Sequence, residues 1–212
     1  MYLYSTAVRP GGGNPIKVMD WAVRMTQKIN QISEVPSSLW TSVMSPATGT
    51  LAWTSVVSDL GVIEATEAKL AADSGYSALI DEVSGLTSMT EPVDQMLMQI
   101  VHGDSDAANI DAQYAVTVRG KLAPGSMRTG IALGVEIAQK VKRITGLPTS
   151  FAVGVTGGYG DIMWVSLAET IQQLQAGEEA VNADGEFATL LDEQAATAYL
   201  PGAEQSITRK VV

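Results

Sequence analysis

Residues 71–82 read AADSGYSALIDE, and residues 182–193 read NADGEFATLLDE. The second stretch repeats the first: Ala72, Asp73, Leu79, Asp81 and Glu82 fall on Ala183, Asp184, Leu190, Asp192 and Glu193. Working outward at the same offset of about 111 residues, Glu67 falls on Glu178, and Gly49, Trp53 and Ser55 fall on Gly160, Trp164 and Ser166. Further upstream, Pro36, Ser38 and Val43 match Pro148, Ser150 and Val155, while Val23, Gln27, Lys28 and Ile32 match Val135, Gln139, Lys140 and Ile144. Near the start, Tyr4, Val8 and Arg9 match Tyr114, Val118 and Arg119. The offset moves only between 110 (Val8 to Val118) and 112 (Val23 to Val135), which two single-residue indels in loops account for. So many identities in one order identify an internal duplication. The halves are expected to span residues 1–103 and 113–212, with the polar, acidic stretch 104–112 as linker.

Each half can be read twice. Tyr2 to Arg9 and Gln113 to Arg119 alternate β-branched and aromatic residues with smaller ones, the pattern of a strand. Loops at Gly11-Gly12-Gly13 and Pro124-Gly125 follow. Val18, Ala22, Met25, Ile29 and Ile32 then form the apolar stripe of a helix, repeated by Gly130, Gly134, Ile137, Val141 and Ile144. The two glycines invite close approach of another part of the chain, at about 1 kcal/mol each in helix propensity. Asp20, Arg24 and Lys28 lie on another face, where i,i+4 pairing is possible. Pro36 and Pro148 stop the helix. Strand two carries Leu39, Thr41 and Val43 on one face, or Phe151, Val153 and Val155. A hairpin turn over 46–49, or 157–160, leads to strand three with Trp53 or Trp164. A second helix is expected over Leu60 to Ala72 and Ile171 to Ala183, then a short helix at LIDE and LLDE. Strand four covers Gln95 to Val101, and Gln205 to Val211. The order β-α-β-β-α-β is the ferredoxin-like unit. The fold class is therefore α+β, two tandem ferredoxin-like repeats whose antiparallel sheets form an α/β barrel. Strand-type ends also predict that both termini are tied into sheets or pinned by neighbouring subunits.

The strand-three Trp, the following helix and the turn at 71–82 and 182–193 resemble the dimeric α/β-barrel superfamily, which includes antibiotic-biosynthesis monooxygenases and NIPSNAP-like proteins. That resemblance implies two sheets facing each other, with helices outside and a ligand held between sheet and helices. It leaves two ways to close the barrel: the halves of one chain, or halves of different subunits. Members of the superfamily include cofactor-independent oxygenases and isomerases, haem binders and proteins with no known chemistry. No catalytic residue is carried over from it.

Composition narrows the chemistry. The 212 residues include 13 Lys+Arg, 23 Asp+Glu, one His and no Cys, for a net charge of −10. Nucleic-acid and anionic-membrane surfaces need clustered Lys/Arg, so neither partner is expected. Without Cys there is no disulfide framework, thiolate nucleophile or Cys-ligated metal. A single histidine excludes a multi-His site, so no metal and no cofactor are expected. No signal sequence and no stretch of about 18 apolar residues is present, which points to a cytoplasmic protein.

Five residues stand out as ligand-binding candidates. Trp53 and Trp164 are either core packing or the aromatic wall of a ligand cavity. Arg9 and Arg119 end their strands before loops and are either solvated charges or clamps for an anionic group. His102 ends strand four and is a strand-end residue, a pocket residue or, least in keeping with its position, a haem ligand. The glycine triplet lacks the spacing of a phosphate loop, and no nucleophile elbow occurs. The expected function is small-molecule binding, with cofactor-independent oxygenase or isomerase chemistry on an apolar or aromatic compound. The alternative is a non-catalytic structural or assembly protein such as a shell, virion or scaffold component, and a weaker third is a ligand-binding regulator. A charge-poor surface also predicts a homo-oligomer.

Overall fold

A computed structural model describes residues 1–45, 47–87, 93–103 and 111–212. Pro46 of the first hairpin turn, and 104–110 of the expected linker, lie outside the described residues. The first half is built from β1 (Tyr2–Val8), α1 (Pro15–Ile32), β2 (Ser38–Met44), β3 (Leu51–Val57), α2 (Leu60–Ala72), α3 (Ser74–Leu86) and β4 (Asp94–His102). The second half is built from β5 (Tyr114–Lys121), α4 (Met127–Thr145), β6 (Thr149–Gly154), β7 (Asp161–Ala168), α5 (Ile171–Ala183), α6 (Gly185–Leu190), a π-helical turn (Leu191–Ala195), α7 (Ala196–Ala198) and β8 (Glu204–Lys210). The hydrogen-bonded strand order is β1-β3-β2-β8-β5-β7-β6-β4, a closed antiparallel barrel. No helix among the described residues is long and apolar enough to cross a membrane.

Two compact units are distinguished: Met1–Leu97 with Lys210–Val212, and Met98–Arg209. In the first, β1 pairs antiparallel with β3, setting Thr6 opposite Trp53 and Tyr4 opposite Ser55. The chain's last residues belong to this unit, where the Val211 N–H donates to Leu39 O at 2.8 Å and the Leu39 N–H to Val212 O at 2.8 Å. Its core gathers Val18, Trp21, Ala22 and Met25 of α1 against Leu39, Leu51 and Trp53 of the sheet. The helix stripe read from the sequence is the buried face of α1.

In the second unit, β5 pairs with β7 and β8, and β6 with β7 and the end of β4. The stripe of α4 buries Gly130, Gly134 and Ile137. A Cβ on Gly134 would overlap the fully buried Phe151 ring. Gly134→Ala is therefore expected to lose about 1–2 kcal/mol net, overpacking outweighing the gain in helix propensity, as checked by chemical denaturation. Gly146, at φ 72, ends α4 in the left-handed conformation that glycine adopts most cheaply.

The matching turns at 71–82 and 182–193 are capping devices. The Asp73 carboxylate accepts the Tyr76 N–H at 2.8 Å, and the Asp184 carboxylate accepts the Phe187 N–H at 2.7 Å. Each starts a third helix. Asp184→Ala should cost about 1 kcal/mol, read from the same denaturation curve. The helix expected as short at LIDE is longer: α3 runs the full Ser74–Leu86, because Tyr76, Leu79, Val83 and Leu86 recur at helical spacing and pack on the core. In the second half the corresponding segment is broken into α6, the π-helical turn and α7.

Ion pairs hold α1 to α3. Arg24 binds Glu82 at 2.6 Å as well as Asp20 at 3.1 Å, and Lys28 binds Asp73 at 3.0 Å. The Lys28 ammonium, with the Tyr76 N–H, holds the Asp73 carboxyl below the usual carboxylate range, and Arg24 does the same for Glu82. Carboxyls depressed in the folded state stabilise it above their ordinary pKa, and that contribution disappears as pH falls through the depressed value. The melting temperature should therefore fall on acidification below about pH 4. Lys28→Met should flatten that fall, and an unchanged slope would show the pair to be idle.

Candidate functional site

A cavity of about 400 Å³ opens in the first unit between β1 and β3 and the helices α1, α2 and α3. Strand alternation supplies its floor, with Tyr4, Thr6 and Val8 pointing inward from β1 and Trp53, Ser55 and Val57 from β3. Trp21 and Met25 of α1 form a wall, and Val62, Thr66 and Leu70 of α2 part of the roof. The two indoles are locked. Trp53 Nε1 donates to Thr26 Oγ1 at 2.8 Å, and Thr26 Oγ1 donates to Ala22 O at 2.8 Å. Trp21 Nε1 donates to Leu79 O at 2.8 Å, and the rings meet edge to face with centroids 5.9 Å apart. Trp53 is thus both a core residue and a cavity wall.

The roof stands off the sheet. Neither α2 nor α3 buries any residue fully. The second unit shows what the alternative packing looks like. There α5 buries Leu174 and Gly177, and α6 buries Phe187 and Leu190. Gly177 occupies the place of Thr66, and a Cβ on it would lie 3.1 Å from Leu147 and 3.4 Å from Thr145. Thr145 in turn occupies the place of Ser33, whose hydroxyl lies 3.4 Å from Thr66 Oγ1. A bare glycine lets α5 settle onto the end of α4, whereas the threonine side chain spaces α2 from the end of α1.

Polar groups cluster at one part of the lining. Tyr4 Oη donates to Glu67 Oε1 at 2.9 Å, and Gln95 Nε2 donates to Tyr4 Oη at 3.2 Å. Glu67 and Gln95 are exposed, so this cluster lies at the mouth. Burial pushes the Tyr4 phenol above its usual pKa, and the bond to Glu67 adds to that. Burial raises the Tyr76 phenol as well, reinforced by the Glu67 charge. Both phenols stay protonated donors at neutral pH. Glu67 is the only charged side chain among the described residues lining the cavity.

The other residues singled out in the sequence lie elsewhere. Trp164 packs in the second unit against Phe151 (centroids 5.0 Å apart) and Tyr199 (5.4 Å), and its Nε1 donates to Gly134 O at 2.8 Å. Arg9 directly follows β1 and does not line the cavity. Arg119 is exposed on β5 opposite Met163. His102 is half-buried at the end of β4, paired with Phe151 beyond a register shift, and it too is not a lining residue. Neither His nor Cys is among the described residues that line the cavity. Among the described residues no group of three or more His, Cys, Asp or Glu could hold a metal.

Tyr4, Glu67 and Gln95 were not selected from the sequence, although a signal was present. Glu67 and Gln95 recur as Glu178 and Gln205, but the match of Tyr4 to Tyr114 does not hold in the sheet: Tyr4 lies opposite Ser55, whereas Ser166 lies opposite Val116 and Tyr114 opposite Ala168.

No family model matches the chain, and no curated protein does. Solved structures resemble it throughout. A protein provisionally named a monooxygenase from Fusobacterium nucleatum superposes with a TM-score of 0.70 at 6% identity, covering 100% of this chain and 92% of that one. An anthrone oxidase-like protein gives 0.69 at 14% identity, covering 100% and 91%. A second provisionally named monooxygenase, from Lactobacillus acidophilus, gives 0.66 at 9% identity, covering 99% and 93%. At such identities the likeness concerns the fold alone: the chain has a ferredoxin-like α/β-barrel fold.

Proposed function

We propose that the first unit binds a small apolar or aromatic molecule in the cavity beneath α2 and α3. The observation that carries this reading is the lining itself. An apolar hollow of about 400 Å³, walled by Trp21 and Trp53 and edged by one Tyr–Glu–Gln cluster, has the size and composition of a small-molecule site. Its chemistry would be cofactor-independent. Oxygenation by O2 and isomerisation of an enolisable compound share a first step, removal of a proton from the substrate, and the Glu67 carboxylate is the group placed to accept it. Tyr4 would steady that carboxylate through its hydrogen bond. The names of the similar proteins, two monooxygenases and an anthrone oxidase-like protein, support this reaction class. Within this reading the chain is a duplication of units 1–103 and 113–212 joined through 104–112, and it acts as a homo-oligomer.

Native mass spectrometry after incubation with 1-naphthol tests the reading and reports stoichiometry. A saturable naphthol adduct on a small homo-oligomer is expected. A large assembly that takes up no naphthol would favour the structural alternative and overturn the reading.

A further inference from the structure

We infer that the ligand carries a hydrogen-bond donor, a hydroxyl or amine on an otherwise apolar body, which docks on Glu67 at the cavity mouth. This rests on the cavity being a binding site, and it adds what the site selects. Two observations lead there. First, a single carboxylate edges a lining that is otherwise neutral and mostly apolar. Tyr4 Oη donates to Glu67 Oε1 at 2.9 Å, so among the described residues the second carboxylate oxygen remains for another donor. A carboxylate is acceptor-only when ionised, and a ligand that buries its edge without supplying a donor leaves it poorly solvated.

Second, the duplicated unit provides an internal comparison. There Val116, opposite Ser166 as Tyr4 is opposite Ser55, stands in the place of the tyrosine, and Gln205 Nε2 donates directly to Glu178 Oε1 at 3.0 Å. In the first unit the matching amide of Gln95 instead donates to Tyr4 Oη at 3.2 Å. The glutamine that occupies the carboxylate in the second unit is turned onto the tyrosine in the first. Each carboxylate thus receives a side-chain donor at Oε1, the Gln205 amide at Glu178 and the Tyr4 hydroxyl at Glu67. A ligand donor in the first unit would take the other Glu67 oxygen, beside the one that Tyr4 holds.

The test is a matched set of probes followed by quenching of tryptophan fluorescence: 1-naphthol, 1-naphthylmethylamine and 1-methoxynaphthalene. The first two carry a donor, and the third keeps the ring system and oxygen but has no donor. Hydroxyl or amine should bind at least about tenfold more tightly than the methoxy compound, the size expected of a hydrogen bond to a charged acceptor. The better of the two donors identifies the head group. Glu67→Ala should bring the three compounds to within about twofold by weakening only the donors, and Glu178→Ala should leave the preference as in the wild type. Equal binding of all three to the wild type, or a preference that survives Glu67→Ala, would overturn this inference and leave the cavity as a binding site. No binding of any compound would overturn both.

Discussion

Trp164→Ala is expected to destabilise the protein by about 3–5 kcal/mol. The indole lies between Phe151 and Tyr199, and it donates to Gly134 O. Phe151 is fully buried and presses into the notch left by Gly134, so little around the site can move to refill the space. The substitution would also remove the donor from a carbonyl on the buried face of α4. Tyr199, whose phenol is pushed well above its usual pKa by burial and donates to Gly130 O at 2.8 Å, would lose its edge-to-face neighbour. The same change at Trp53 should cost less. Trp53 is the less exposed of the two rings, but it lines the cavity, so the void left by its loss joins space that is already unfilled. Chemical denaturation of both variants checks this. Equal losses would mean that the two copies are packed alike and that the cavity is not a real difference between them.

The second large effect concerns ligand binding. Val62→Phe/Thr66→Phe places two rings on the cavity face of α2, where the helix buries no residue and has room for them. Binding of 1-naphthol should fall below detection. The melting temperature should hold or rise, since filling a cavity commonly adds about 0.5–2 kcal/mol. Unfolding of the variant would show that the roof is less free than its packing indicates, and undiminished binding would place the ligand elsewhere.

Much of the fold was legible because the matching residues of the two halves let each element be read twice. The ranges of α2 and α5 match expectation at both ends, and both begin at side-chain caps, Asp59 accepting the Gly61 N–H and Thr170 the Gln173 N–H. The third helix was underestimated because LIDE and LLDE are its most alike portion, whereas the residues extending it, Val83 and Leu86, have no matching partner in the copy. The site was harder to read. Tyr4, Glu67 and Gln95 come from β1, α2 and β4, and the Gln95–Tyr4 bond joins residues 91 apart. No local spacing announces such a cluster. The Trp pair was legible as a repeated feature, yet its two members do different work. That difference lies partly in Thr66 against Gly177, a pair in which the copies disagree and which a search for shared residues passes over.

The most direct test of the central claim is a methyl-resolved NMR titration of the protein with 1-naphthol. Val8, Met25, Ile29, Val62, Ile63 and Leu70 line the first unit's cavity, while Leu133, Ile137 and Leu190 belong to the packed core of the second. The account predicts saturable shifts confined to the first group. Shifts centred on the second group, or none in the first while ligand binds, would contradict it.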